Sequence, residues 1–232
     1  MANTTIYANS DDGMIATGGP VTGTSWAAVR NAGAGTAIGT NNTNTTNLIF
    51  HLVISGRGPT FYDMSRLFFR FDLSSFPSFS SIDSAELYVF RHSDPGSAES
   101  IIAVRHDQPS FSIDYPEYVF YPSHDPASGD SMTAYSSTNT ESTGSHNTFT
   151  LNATALTEIE ACANGSGNGG GDANSFQIAL VHNGDYTNTA PTARNITSFR
   201  MTDYGSTASD PHLKVTYTAA AADNATFFGS NF

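Results

Sequence analysis

A chain of 232 residues has room for one large domain or two small ones, and 9 basic against 21 acidic residues leave a formal net charge of −12. A chain this acidic repels phosphate backbones and anionic bilayers, which argues against nucleic-acid and membrane partners. A single cysteine, Cys162, excludes an internal disulfide framework and a cysteine-built zinc site.

Aromatic residues make up 12% of the chain, enough apolar bulk for a core, while charged residues are only 13%. The polar surface must therefore be built from Asn, Ser, Thr and Gly. Short β-branched and aromatic stretches separated by Gly, Asn, Ser and Pro read as an all-β chain, a sandwich or barrel of one domain.

In chain order, weak strand patterns occur at 5–8, 14–16 and 27–29. The Gly/Asn/Thr-rich stretch 36–46 reads as a surface excursion, and 47–55 as a strand. The clearest strand is 66–73: Leu67, Phe69, Phe71 and Leu73 fall on one face, Phe68, Arg70 and Asp72 on the other. That places the first set in the core and lets Arg70 pair with Asp72 outside. A turn at Pro77-Ser78 leads to a strand at 84–90, in which Ala85, Leu87 and Val89 alternate with Glu86, Tyr88 and Phe90. Strands follow at 101–105, 147–151, 176–182, 197–202 and 213–218. The long stretch 107–145 has little periodicity and reads as a loop holding a short strand near 118–121.

One helix is expected, over 153–163. Asn152 is its N-cap, Leu156 and Ile159 share its buried face, and the glycine run 165–171 ends it. Cys162 reads as a small buried hydrophobe. After the last strand, residues 219–232 form an extended tail carrying Phe227, Phe228 and Phe232. Three aromatic rings at a chain end must dock somewhere, either back on the same sandwich or into a neighbouring subunit.

The run 65–74, containing Arg70-Phe71-Asp72-Leu73-Ser74, followed by Ile82-Asp83-Ser84-Ala85-Glu86-Leu87-Tyr88-Val89, resembles the core of DNRLRE-type domains. These are jelly-roll β-sandwiches related to carbohydrate-binding modules. Further segments agree in order: Asp11-Asp12-Gly13, the Trp26 segment 25–30, the helix near 152–159, and Asp210-Pro211-His212-Leu213 opening the final strand. Together they cover about residues 5–218. The resemblance implies a jelly-roll sandwich of two antiparallel sheets over 1–218. It also implies a place among adhesins, glycan-active surface proteins or bacteriophage structural proteins.

Catalytic motifs are not visible: there is no Gly-x-Ser-x-Gly elbow, no His-Glu-x-x-His helix and no complete phosphate loop. The seven histidines show no ligand spacing, although His106-Asp107 and His124-Asp125 lie at or in the long loop. Asp11 and Asp12 beside Gly13 could offer oxygen ligands to Ca²⁺. Glycan contact would draw on surface aromatics, with Trp26, Tyr115, Tyr118 and Tyr121 as the leading candidates and Tyr62 and Tyr135 behind them. Asp114 and Glu117 would add hydrogen-bond acceptors beside them. The six Asn-x-Ser/Thr sequons matter only on a glycosylating secretory route.

The start of the sequence shows no basic and apolar leader and no stretch long enough to span a bilayer, yet the composition is that of a surface protein. A virion protein, made in the host cytoplasm and exposed after lysis, reconciles the two. The expectation is a non-enzymatic bacteriophage structural protein without a cofactor. It would be a capsid decoration or fibre subunit on the particle surface, contacting the major capsid protein or copies of itself partly through its tail. A carbohydrate-binding module or adhesin, with host or environmental glycans as partners, is the alternative.

Overall fold

A computed structural model describes residues 1–10, 12–17, 25–32, 34–40, 46–54, 60–93, 100–106, 132–139, 143–167, 173–202, 204 and 207–221. The protein is an all-β sandwich. Its strands are β1 (Ala2–Tyr7), β2 (Gly13–Thr17), β3 (Ala37–Thr40), β4 (Thr46–Ile54), β5 (Phe61–Asp72), β6 (Phe79–Ser93), β7 (Ile101–Arg105), β8 (Ser145–Thr150), β9 (Ser175–His182), β10 (Arg194–Arg200) and β11 (His212–Ala219). Among the described residues they are joined by the α-helices α1 (Trp26–Arg30), α2 (Ala153–Ala163) and α3 (Asn183–Tyr186) and by a 3-10 turn at Thr207–Ser209.

The expected two sheets prove to be one antiparallel hydrogen-bonded network, in the order β1-β11-β6-β10-β4-β5-β2-β3, with β8 on β6, β9 on β5 and β7 on β9. Two long strands make this possible. The first part of β5 pairs with β4 and the rest with β9, while its other edge takes β2. The first part of β6 pairs with β11 and its end with β10 across an irregular register, while its other edge takes β8. One layer is thus β1-β11-β6-β8 and the other β3-β2-β5-β9-β7, stitched by β4 and β10.

Between the layers lies the main core. It joins Leu67, Phe69 and Phe71 of β5, Ala85, Leu87 and Val89 of β6, Phe176, Ile178 and Leu180 of β9, and Leu213 and Val215 of β11. Each fully buried Phe in such a core is worth about 1.5–3 kcal/mol relative to exposure. Helix α2 closes one end through Ala155, Ile159 and Cys162. Asn152 caps it by accepting from the Ala155 N–H. Its C-terminus is a Schellman turn: Gly165 at φ +69° donates to the Cys162 carbonyl and Ser166 to that of Ala161. Beyond it, a Cβ on Gly167 would stand 2.4 Å from the Cys162 sulfur, so only glycine fits.

A second apolar cluster lies on the far side of β5 and corrects the sequence reading twice. Phe68, expected on the outer face, is fully buried there with Ile15, Val29, Met64, Ala179 and Val181. The segment 27–29, read as a weak strand, is the middle of helix α1, which covers this cluster. Ser25 caps that helix by accepting from Ala28 N–H, and Val29 is turned inward. The layer containing β5 and β9 is therefore covered on both faces, and β9 is buried along its whole length.

A buried charge cluster fastens this cover. Arg66 on β5 donates from Nε to Asp185 Oδ2 (2.7 Å) and from Nη2 to Asp185 Oδ1 (2.8 Å) and the Arg30 carbonyl (2.9 Å). Arg30 Nε donates to the Asp185 carbonyl (2.7 Å) and lies 3.5 Å from its carboxylate. One guanidinium thus grips α3 and the end of α1 together. On the other half of β5, Arg70 donates to Ser175 Oγ (2.7 Å). Asp72 accepts from the Ser74 N–H (2.8 Å), and this bond, with a smaller share from Arg70, holds its carboxyl below the usual range.

Candidate functional site

The outward face of β1-β11-β6-β8 carries rings and polar side chains in ladder register. Period two sends Tyr88 and Glu86 of β6 outward between the buried Ala85, Leu87 and Val89. The same alternation turns His212, Lys214 and Thr216 of β11 outward. Pairing then sets His212 beside Tyr88, Lys214 beside Glu86 and Thr216 beside Ser84. On one flank β1 adds Tyr7, Thr5 and Asn3 opposite the three β11 residues. On the other, β8 adds Thr148 opposite Tyr88 and His146 opposite Phe90.

The result is a continuous row of rings. Tyr88 and His212 stack at 4.9 Å and 4°; Tyr7 tilts against His212 at 5.5 Å. His146 stands edge-on to His212 (5.4 Å) and Phe90 (5.4 Å). The row ends where the Arg200 guanidinium lies 4.0 Å over Phe90 and 4.3 Å over Tyr204. Cation–π contacts of this kind contribute about 0.5–1 kcal/mol at exposed sites. Because these rings spend their faces on one another, the row is preorganised. Tyr7, 47% exposed at its end, keeps the most open ring.

Polar groups beside the row are also fixed. The Tyr88 hydroxyl donates to Glu86 Oε2 (2.7 Å); this bond, burial and the carboxylate charge raise the phenol's pKa. Thr216 Oγ1 donates to Asn3 Oδ1 (2.8 Å). Burial pushes the His146 imidazole below its ordinary value, with His212 and Arg200 adding to the shift, and its Nε2 is buried without a hydrogen-bond partner. Lys214 is the only lysine of the chain. The face thus offers a stiff apolar strip flanked by a cation, an anion, hydroxyls and an amide, suited to contact with a glycan or a protein surface.

The residues singled out from sequence fall elsewhere. Trp26 sits on α1 over the second cluster, half-buried, its Nε1 donating to Asn188 Oδ1 (3.1 Å) and its ring edge-on to Tyr62 (5.9 Å). Asn188 makes this possible from a left-handed turn at φ 56°, a conformation asparagine tolerates. Tyr135, expected at the surface, is a core residue stacked on Phe176 at 5.6 Å. Its backbone bonds to Ala103 and Asn152 hold it in place. His106, expected at the loop, is buried against Phe68. Asp12 is buried, and its Oδ2 accepts from Thr202 Oγ1 (2.5 Å) and N–H (3.3 Å). Among the described residues no group of three His, Cys, Asp or Glu is placed to hold a metal ion. Asp11, Asp107, His124, Asp125, Tyr115, Tyr118 and Tyr121 lie outside the described residues, as do Phe227, Phe228 and Phe232.

The ring row itself was not read from sequence. Its members come from four strands, so their histidines and tyrosines show no spacing along the chain. The signal available was the outward set of 84–90, Glu86-Tyr88-Phe90, which is unusually aromatic for a solvent face. Among the described residues no helix is long and apolar enough to cross a membrane. Neither a protein-family model nor a curated protein matches the chain.

Proposed function

We propose that the chain is a non-enzymatic structural subunit of a bacteriophage virion, a capsid decoration or fibre subunit displayed on the particle surface. It works through surface contact, and the stiff outward face of β1-β11-β6-β8 is its contact surface. The observation that carries this reading is the self-stacked row Tyr7–His212–Tyr88–His146–Phe90, which is ordered before any partner arrives. Preorganised rings lose little rotamer freedom on binding. Support for the virion setting comes from the composition, with a single lysine, a single buried cysteine and few charges, and from the resemblance to DNRLRE-type sandwiches. The test is the DNA on either side of the coding sequence. Genes for capsid, portal or terminase proteins are expected, and a chromosomal neighbourhood without them overturns the reading.

The second reading, a carbohydrate-binding module or adhesin, is favoured by the same face, because Tyr7 leaves ring surface open beside Lys214, Thr5 and Asn3. A glycan array separates the two. Binding abolished by Tyr7→Ala, with unchanged thermal stability, would establish the second reading, and an array without binding removes it.

A further inference from the structure

The outer edge of β1 points to a second copy of this chain. Backbone parity shows which groups face that edge. The Ala8 N–H donates to the Pro211 carbonyl, continuing the β1–β11 register. Hydrogen-bonded and non-bonded pairs alternate in an antiparallel ladder. Ala2, Thr4 and Ile6 therefore bond to β11, while the N–H and C=O of Asn3, Thr5 and Tyr7 point away from it. Among the described residues nothing pairs with them.

The β8 and β7 edges of the sandwich are treated differently. On β8, Asn139 Nδ2 donates to the Thr148 carbonyl and Ser136 bridges Leu151. On β7, Asn139 and Ala134 bridge Ile101 and Val104. Natural sheets blunt open edges with charges, proline or bulges, because an unpaired edge recruits another strand. The sequence Ala2-Asn3-Thr4-Thr5-Ile6-Tyr7 has no charge and no proline, and its register to β11 is unbroken. In a chain of net charge −12, an uncharged edge is where two copies approach with the least repulsion.

We propose that two copies pair antiparallel along β1, with Thr5 on the two-fold axis. This register alone uses every open group: Asn3 faces Tyr7 of the second copy, Thr5 faces its own counterpart, and each pair exchanges both hydrogen bonds. Sliding by two residues one way leaves Tyr7 without a partner inside Ala2–Tyr7, and sliding the other way leaves the Asn3 groups unpaired. Sliding by one turns each chain's outward side chains to the other's inner face. The symmetric pair is isologous, so it closes as a dimer. It continues the sheet from β11 of one copy to β11 of the other and sets Asn3 of the second copy beside the open Tyr7 ring. For its role, though not its geometry, the proposal rests on the reading of the chain as an assembling subunit.

Sedimentation velocity on the full chain tests it, from about 1 µM to about 1 mM, the range that resolves weak association. A concentration-dependent dimer is expected. Thr5→Pro removes a donor that the subunit's own ladder does not use; because Thr5 faces itself, two hydrogen bonds are lost per dimer, and association should weaken by about tenfold or more. Thr5→Lys keeps the N–H but sets two cations across the axis. Its dimer should weaken at low salt and recover at high salt, which a folding defect would not do. A monomer at every concentration overturns the proposal, as does a dimer indifferent to both variants. A monomer leaves the virion reading to be judged by neighbouring genes. A dimer beside a non-viral gene neighbourhood keeps this interface and removes that reading.

Discussion

Asp185 is a residue whose change should be felt strongly. It is 1% exposed and accepts two short hydrogen bonds from Arg66, which is itself fully buried, with Arg30 beside it. Asp185→Asn keeps the shape and removes the negative charge that faces two buried guanidiniums. Breaking one partner of a buried pair costs about 3–5 kcal/mol, a large part of the ~5–15 kcal/mol that holds a domain together. For a chain of this size that is a fall in Tm of roughly 6–20 °C. Urea unfolding followed by fluorescence is the assay, because Trp26 is the only tryptophan and rides on α1 above the cluster. Replacing Asp185 by Leu and Arg66 by Met together should cost far less than Asp185→Asn, since a well-packed apolar substitute is often neutral. An Asp185→Asn variant within about 1 kcal/mol of the parent, below the range for a broken buried pair, would refute the reasoning.

Further outcomes follow from the same geometry. Phe176→Ala, which empties the space beside Phe71 and Tyr135, should destabilise by about 3–5 kcal/mol in the same assay. Asn152→Ala removes the α2 cap and the Nδ2 bond to the Ala134 carbonyl, and should cost about 0.5–2 kcal/mol, read by urea midpoint. His146 titrates lower folded than unfolded, so between the folded value and 6.5 the unfolded chain binds more protons and stability drops as the pH is lowered. Relative to His146→Phe, the parent should be at full stability above pH 6.5 and lose ground below it. Parallel pH profiles for the two would contradict the burial of that ring.

The sequence was most readable where one face of an element is wet. Alternation in 84–90 separates Ala85, Leu87 and Val89 from Glu86, Tyr88 and Phe90, and the sheet places them as that pattern demands. The α2 helix was legible from its Asn152 cap to its glycine stop, because both signals are local. Reading failed where tertiary cover overrides period two. Arg66 and Phe68 share the face of β5 that should be solvated, yet α1 and α3 bury it. Five residues of α1 are too few for a helical period to show, so Ala27 to Val29 passed for a strand. The ring row stayed hidden because Tyr7, Tyr88, His146 and His212 meet only across ladders. Tyr135 looked like a surface aromatic because nothing in its neighbours reveals that bridges at Ala134 and Ser136 fold it inward.

The most direct test of the account is mass spectrometry of density-banded virions produced by cells that carry this coding sequence. If the chain is a displayed structural subunit, its peptides band with the capsid proteins, and lysates without particles yield no such band. Peptides confined to the soluble fraction, with particles complete in their absence, would contradict it.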